Sequence, residues 1–362
     1  MDFNFVAVKE IIRETRDTIS ISFQPETTPD SYFDFLAGQH ITMKLKLDDQ
    51  EFRRSYSLSS MPNERPLKIT VKQVRHGLAS TFLSEQLKAG DFLEVSKPEG
   101  HFCIKPDHER RQNYFFFAAG SGITPVFSMV RTLLEHEPMS NVYLLYGSRK
   151  EEDIIFRHQL DALLNKYDGQ LFIEYTLSGI KKPLLPFLSP AKQVWTGSKG
   201  RISDTHIRKF LEACPNRNLP SSYYLCGPGK FIEETKSSLI HLQVDKKHIH
   251  AEYFSTPAAA KSISEPTDGE AVKIISLTVH LNGKVSHLDI PGNKKVLDSL
   301  IEAGLDPPFS CSSGACSTCM AKLIEGEVRM DVALALEPEE IEQGYILTCQ
   351  SRPVTDTLEI KF

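Results

Sequence analysis

The sequence predicts three units in series: a small antiparallel β-barrel, a parallel α/β domain, and a compact third unit that carries a group of cysteines. Three observations lead there. The first hundred residues read as short β segments, the rhythm changes to strand then helix at Tyr114, and a small-residue, proline-containing stretch precedes the last ninety residues. A length of 362 residues fits two or three domains of ordinary size.

The barrel rests on β segments at Phe5–Val8, Ile19–Phe23, His40–Leu45, Arg54–Leu58, Leu67–Val74 and Phe92–Ser96. Turn signals at Ala37-Gly38, Asp48-Asp49 and Ala89-Gly90 separate them. A single helix is expected at Ser80–Leu87, with Phe82, Leu83 and Leu87 on a common face. In the second unit Tyr114–Ala119 is apolar and aromatic without alternation, as a strand buried on both faces requires. A helix with Pro125 at its start follows, and Val126, Val130, Leu133 and Leu134 share a face. Further strands are expected at Val142–Tyr146, Leu171–Thr176, Tyr223–Cys226 and His248–Phe254, with helices near Phe156–Leu164, Asp204–Leu211 and Phe231–Leu242. Ser255–Gly269 has no apolar period and reads as a linker. The third unit opens with alternation at Ile274–Val279. Boundaries follow at 1–106, 107–254, 255–270 for the linker, and 271–362.

Composition narrows the class. Apolar residues make up 40% and charged residues 25%, which excludes global disorder and coiled coil. The net charge of −5 argues against a nucleic-acid-coating protein. Residues 271–362 hold thirteen acids and eight bases, so the whole excess lies in the last quarter. Met1-Asp2-Phe3-Asn4 has neither the basic nor the apolar region of a secretory signal. The longest uncharged run, Gln112–Val130, is broken by Gly120-Ser121-Gly122 and Thr124-Pro125, so no membrane span is expected. Seven cysteines, four of them within 311–349, point to metal or redox chemistry in a reducing, cytoplasmic compartment.

Cys311, Cys316 and Cys319, with Cys349 thirty positions on, form C-x4-C-x2-C…C, the plant-type [2Fe–2S] spacing. Four thiolates must surround two irons, and the intervening Ser, Gly, Ala and Thr let the backbone wrap closely. The competing reading is a zinc site in an interaction or regulatory module, which more often uses paired C-x2-C units. Cys103 and Cys214 read as buried thiols. With Pro308-Phe309-Ser310 before it and Gly344–Gln350 after it, the cysteine segment resembles the plant-type ferredoxin domain, which implies a β-grasp fold.

Three further segments carry chemistry. Arg53-Arg54-Ser55-Tyr56-Ser57-Leu58 offers an Arg for a pyrophosphate, a Tyr for a planar ring and a Ser for a ring nitrogen. His76-Gly77-Leu78-Ala79-Ser80-Thr81 places a glycine turn before a hydroxyl-capped helix start. Gly120-Ser121-Gly122-Ile123-Thr124-Pro125 lies where an α/β sheet receives a pyrophosphate, with Pro125 in place of the usual third Gly. Cys226-Gly227-Pro228-Gly229 ends a later strand, and Glu252-Tyr253-Phe254 closes the unit.

In this order the segments resemble the ferredoxin–NADP reductase superfamily over residues 1–254. The whole chain resembles three-part oxygenase reductases, of the type that serves phenylacetyl-CoA epoxidases. The resemblance implies that Arg54, Tyr56 and Ser57 hold a flavin with Ser57 near its N5, and that Gly77, Ser80 and Thr81 receive the FAD pyrophosphate. The second phosphate site favours FAD over FMN. Gly120, Gly122 and Thr124 would line the phosphates of NADPH or NADH, Cys226 would lie beside the nicotinamide, and Glu252 and Phe254 would close the flavin side. Ser148-Arg149, after the second α/β strand, favours NADPH, although Glu151, Glu152 and Asp153 follow as pairing partners for Arg149. Gly200-Arg201-Ile202 reads as a loop. The implied acceptor is a di-iron aromatic-CoA epoxidase; a Rieske hydroxylase, a hybrid-cluster protein and a free ferredoxin are alternatives.

Two features remain. His248 and His250 are expected to alternate on one strand in a structural role. Glu325, Glu327, Asp331, Glu337, Glu339, Glu340 and Glu342, with Arg329 as the one base, form either a solvated face or a transient docking surface for a basic acceptor.

Overall fold

The computed structural model describes residues 1–25, 30–47, 50–180, 195–215, 218–254 and 273–362. The expected turn at Asp48-Asp49 and the linker at 255–270 lie outside the described residues.

Alternating apolar residues build the first sheet. Its strands are β1 (Phe3–Thr15), β2 (Thr18–Pro25), β3 (His40–Leu47), β4 (Gln50–Ser57), β5 (Leu67–Lys72) and β6 (Phe92–Ser96), in the order β4-β3-β6-β1-β2-β5. Every pairing in it is antiparallel. A bridge between Leu58 and Ile69 joins the two edge strands and closes the barrel. Its interior takes every second residue: Ile19, Ile21 and Phe23 from β2, Ile41, Met43 and Leu45 from β3, and Leu67, Ile69 and Val71 from β5. Helix α1 (Leu78–Glu85) contributes Ala79 and Leu83 to the same core. Strand β1 runs far beyond the expected Phe5–Val8. Its register shifts between Val8 and Glu10 and between Arg13 and Thr15, and these irregularities disturb the alternation that a sequence reading relies on.

The second sheet is parallel. It contains β7 (Asn113–Ala119), β8 (Asn141–Ser148), β9 (Leu171–Leu177), β10 (Ser198–Lys199), β11 (Ser221–Gly227) and β12 (Ile249–Tyr253), in the order β10-β9-β8-β7-β11-β12. Helices α2 (Ile123–His136), α3 (Arg157–Lys166), α4 (Asp204–Ala213) and α5 (Gly229–His241) connect the strands. The unbroken aromatic run of β7 is explained by two-sided burial. Tyr114 and Phe116 join one core cluster, and Phe115 and Phe117 join the cluster on the other face. Each such fully buried aromatic side chain contributes about 1.5–3 kcal/mol. The uncharged run Gln112–Val130 is thereby divided between a buried strand and helix α2. Among the described residues no helix is long and apolar enough to cross a membrane.

The seam between barrel and α/β unit is polar and specific. Ser128 of α2 donates to the Ser60 carbonyl at 2.6 Å, and Arg131 pairs with Glu64 at 2.8 Å. Below it, Glu137 is wholly buried, yet its carboxylate accepts from Tyr114, Ser140, Arg110 and the Asp107 N–H. That network anchors the chain where it leaves the barrel.

The third unit begins with the hairpin β13 (Ile274–Leu281) and β14 (Lys284–Pro291). Asn282 and Gly283 both adopt positive φ between them, as a tight two-residue turn demands. Helix α6 (Val296–Glu302), β15 (Met320–Glu325), β16 (Val328–Met330), α7 (Pro338–Glu342), β17 (Tyr345–Leu347), β18 (Ser351–Pro353) and β19 (Thr357–Lys361) complete it. The main sheet runs β14-β13-β19-β15-β17, with β13 and β19 parallel and its other pairs antiparallel. Val296 and Leu300 of α6 share one core with Leu277, Val279, Ile346 and Ile360. This mixed sheet crossed by a helix is the β-grasp arrangement.

Candidate functional site

The α/β sheet reverses its strand order between β7 and β11. The crevice at the carboxyl ends of those strands is where such sheets bind nucleotides. Gly120, Ser121 and Gly122 form a short 3-10 turn there and lead straight into α2, so the helix starts two residues before Pro125. Gly120 has φ +56°, which glycine adopts without a Cβ penalty. Gly122 is needed for space instead, since a Cβ on it would overlap the Cys226 carbonyl of β11. The Thr124 hydroxyl donates to the Ser121 carbonyl at 3.0 Å and braces the turn. Tyr146 donates to the Gly120 carbonyl at 2.9 Å.

Three of the candidate residues meet through one that the sequence reading missed. His40 lies directly opposite Ser57 in the β3–β4 pairing. Its Nδ1 is 3.7 Å from Glu252 Oε1 and its Nε2 is 3.8 Å from Glu99 Oε1. The Cys226 thiol lies 4.0 Å from the other Glu252 oxygen. Burial works against charging His40, but the neighbouring carboxylates of Glu252 and then Glu99 raise its pKa above the ordinary imidazole value. Burial, then the neighbouring Glu252 carboxylate, pushes the Cys226 thiol well up, so it is held as a neutral thiol. No local motif marks His40; only the hairpin register brings it to Ser57.

Ser57 is buried, and its hydroxyl has no hydrogen-bond partner among the described residues. A buried hydroxyl of this kind costs stability unless something answers it, and a flavin ring nitrogen fits. Tyr56 packs against the barrel core, and burial pushes its phenol up to about 12 despite nearby Arg54. Arg54 is exposed and donates to the Arg53 carbonyl at 2.7 Å.

The start of α1 carries no hydroxyl cap, contrary to the expectation from its residue types. The N-cap of α1 is Gly77, which has no side chain to offer. Ser80 Oγ donates back to the Gly77 carbonyl at 3.2 Å and accepts from Val74 N–H at 3.1 Å. The hydroxyl braces the turn, and the first-turn N–H groups are the donors that the helix itself leaves for an anion. Thr81 is half-buried in the same turn.

Ser148 ends β8 and Arg149 follows it, beside the Ser178 N–H, which donates to the Ser148 carbonyl at 2.9 Å. Arg149 is exposed, and Lys150 rather than Arg149 pairs with Glu152. Gly200, with φ +106°, and exposed Arg201 follow β10 on the same carboxyl edge. Phe254, 41% exposed, follows β12 there. His248 belongs to a 3-10 turn rather than a strand, and only His250 lies on β12, stacked on Tyr224.

The four cysteines of the third unit converge. Cys311 and Cys316 sulfurs lie 3.1 Å apart. Hydrogen bonding from Cys316 and then Cys349 holds Cys311 well below the usual thiol range, and the neighbouring Cys349 thiol likewise lowers Cys319. The loop turns inward through positive φ at Ser312 and Gly314, and Ser313 N–H donates to Cys311 Sγ at 3.4 Å. Gln350 Nε2 reaches the Ser312 carbonyl at 3.2 Å and closes the wrap. Four converging thiols, with the Ser313 N–H turned toward one of them, fit a [2Fe–2S] cluster. Cys214 is buried as expected, but Cys103 is only half-buried.

The cysteine loop lies on the other two units. Ala315 shares a core cluster with Tyr253 and Ile249 of β12. Thr318 donates to Glu99 at 3.1 Å, and Ser55 and Ser310 hydroxyls meet at 2.7 Å.

Comparison with known proteins agrees with this division of labour. Residues 6–104 match the oxidoreductase FAD-binding domain, 116–237 the oxidoreductase NAD-binding domain, and 279–354 the 2Fe-2S iron-sulfur cluster binding domain. The chain is 32% identical to a 1,2-phenylacetyl-CoA epoxidase component of Escherichia coli (strain K12), over 99% of this chain and 98% of that one. It is 33% identical to the ferredoxin reductase component of 3-ketosteroid-9-alpha-monooxygenase of Rhodococcus rhodochrous, over 99% and 96% of the two chains. Among solved structures, phthalate dioxygenase reductase superposes with a TM-score of 0.59 at 23% identity, covering 99% of this chain and 98% of that one, and so shares the fold. The chain belongs to the family of oxygenase-system reductase components, oxidoreductases that join FAD-binding, NAD-binding and [2Fe–2S] domains in that order.

Proposed function

We propose that this reductase takes electrons from NADPH or NADH and delivers them singly to a multicomponent oxygenase of the aromatic-CoA epoxidase type. The observation that carries the reading is the meeting of Ser57, Cys226 and Glu252 around His40, directly beside the cysteine loop. When bound, FAD accepts a hydride, which carries two electrons, and the [2Fe–2S] cluster accepts one electron at a time.

The chain's own residues orient and insulate. Ser57 offers its free hydroxyl to the flavin ring, Tyr56 lies against the ring, and Arg54 with the N–H groups of the Gly77–Thr81 turn holds the pyrophosphate. Gly120, Gly122 and Thr124 shape the nicotinamide cofactor's seat. Cys226 presents a neutral, apolar wall beside the reacting carbon, and Glu252 carries the nearby negative charge that His40 fixes in place. Phe254 closes the flavin side. Arg149, just after β8, supports a preference for NADPH, with Ser148 as the last residue of that strand. Cys311, Cys316, Cys319 and Cys349 hold the cluster.

The division into 1–106, 107–254 and 271–362, joined by a linker at 255–270, is part of this reading, as is a cytoplasmic location in which the thiols stay reduced. Similarity to the epoxidase component supports the aromatic-CoA acceptor; similarity to the ketosteroid monooxygenase component supports a monooxygenase of that type as the second choice.

Docking is assigned to the acidic face of the third unit. Glu325, Glu327, Glu337, Glu339 and Glu342 are exposed. Asp331 pairs with Arg352 at 3.1 Å, and Glu337 and Glu340 form the capping box of α7 together, so these three also serve the fold. Charge of this kind steers transient encounters and is screened beyond about 8 Å at physiological ionic strength. Electron delivery to the oxygenase should therefore slow as salt rises, by roughly tenfold between low and physiological ionic strength. Reduction of a small neutral acceptor should not change. An acceptor rate indifferent to salt would remove the docking face from the proposal.

A further inference from the structure

Arg53 has a task distinct from that of its neighbour Arg54. Its side chain is only 6% exposed, and it sends its donors in three directions. Nε pairs with Glu51 at 2.8 Å, Nη2 with Asp306 Oδ1 at 2.6 Å, and Nη1 donates to the Pro307 carbonyl at 3.4 Å. Its guanidinium also lies over the Phe309 ring, 4.4 Å from the centroid. Asp306 to Ser310 is the segment that enters the cysteine loop. A planar, permanently charged fork of five donors is suited to gripping such a segment at several points, and a lysine is not.

The position of this grip gives it meaning. On β4, residues 53, 55 and 57 share a face. Arg53 holds Asp306, Pro307 and Phe309, Ser55 meets Ser310, and the next residue on that face is Ser57. One strand face thus carries, within three alternate positions, both the dock for the cysteine loop and the hydroxyl assigned to the flavin. We propose that Arg53, latched to Asp306, is the positioning residue that sets the separation between flavin and cluster. This rests on the electron route described above. The step it serves moves one electron from reduced flavin, which is oxidised, to the cluster, which is reduced, and no bond in the chain forms or breaks.

The test uses the holoenzyme and three variants: Arg53→Ala, Asp306→Ala, and the exchanged pair Arg53→Asp with Asp306→Arg. Asp306 is 63% exposed, so its replacement leaves Arg53 paired with Glu51 and the fold intact. Amide hydrogen exchange at Asp306, Phe309 and Ser310, the amides that Pro307 and Pro308 leave in this segment, should quicken about tenfold in either single variant, because the latch closes a local opening. Cluster reduction after NAD(P)H addition should slow about tenfold or more, as small displacements of reacting centres cost that much. NAD(P)H-to-ferricyanide turnover should stay within about twofold of native, and the exchanged pair should recover part of the cluster rate. Exchange and cluster reduction at native values in both single variants, with FAD and iron content unchanged, would overturn the latch. A native holoenzyme whose cluster NAD(P)H never reduces overturns the electron route, and the positioning role with it, whatever the exchange data show.

Discussion

Replacing Cys316 with alanine should reduce electron delivery to the oxygenase to background while leaving most of the NAD(P)H-to-ferricyanide activity. Cys316 lies 3.1 Å from Cys311 and is one of three thiols in the loop that meet Cys349. With three left, the cluster loses a ligand to one iron and is not retained. The flavin and nicotinamide residues lie on β4, α1, α2, β8, β11 and β12 and the turns beside them, outside the β-grasp sheet. Ferricyanide takes electrons from the flavin and so bypasses the lost centre. Iron analysis and the two assays read this out together. Loss of both activities with FAD still bound would mean that electrons do not pass from flavin to cluster in the order proposed.

The second large effect is expected at Gly122. Its φ of −60° is ordinary, so the constraint is space alone. A methyl group there meets the Cys226 carbonyl and the Gly227 nitrogen, both backbone atoms that cannot rotate away. Gly122→Ala must push the turn before α2 away from β11. Overpacking of this kind costs about 1–3 kcal/mol, and in a unit of this size each kcal/mol lowers Tm by roughly 2–4 °C. The same displacement moves Cys226 relative to the nicotinamide seat, so flavin reduction by NAD(P)H should slow about a hundredfold. Gly120→Ala is the contrasting variant. Nothing stands within 4 Å of its missing Cβ, so only the left-handed backbone penalty of about 1–2 kcal/mol applies. A Gly122→Ala protein with native Tm and native flavin reduction would refute the close-approach explanation.

Much of this was legible in the sequence, for local reasons. C-x4-C-x2-C is a local spacing, and a loop of small residues can bring its thiols together without help from the rest of the chain. The aromatic run Tyr114–Ala119 announced two-sided burial, because an antiparallel strand facing water would have alternated. The glycines before α2 were likewise readable from their place between a strand and a helix.

What the sequence did not reveal depends on register and long-range contact. His40 is significant only because the β3–β4 pairing sets it opposite Ser57, and the Arg53–Asp306 pair joins residues from two different units. The far half of β1 was missed because Lys9, Glu10, Arg13 and Glu14 interrupt its apolar pattern on a bulged strand. The hydroxyls of Ser80 and Thr81 suggest a capped helix start, whereas the turn geometry gives the N-cap to Gly77 and directs the Ser80 hydroxyl to its carbonyl.

The most direct test is anaerobic rapid mixing of the holoenzyme with one equivalent of NAD(P)H, following flavin bleaching and the iron–sulfur spectrum together. The flavin should bleach first and the cluster signal should follow as flavin colour partly returns, in a phase that Cys316→Ala abolishes. Cluster reduction that precedes flavin bleaching, or a reduced flavin beside an intact cluster that stays oxidised, would contradict the proposed route.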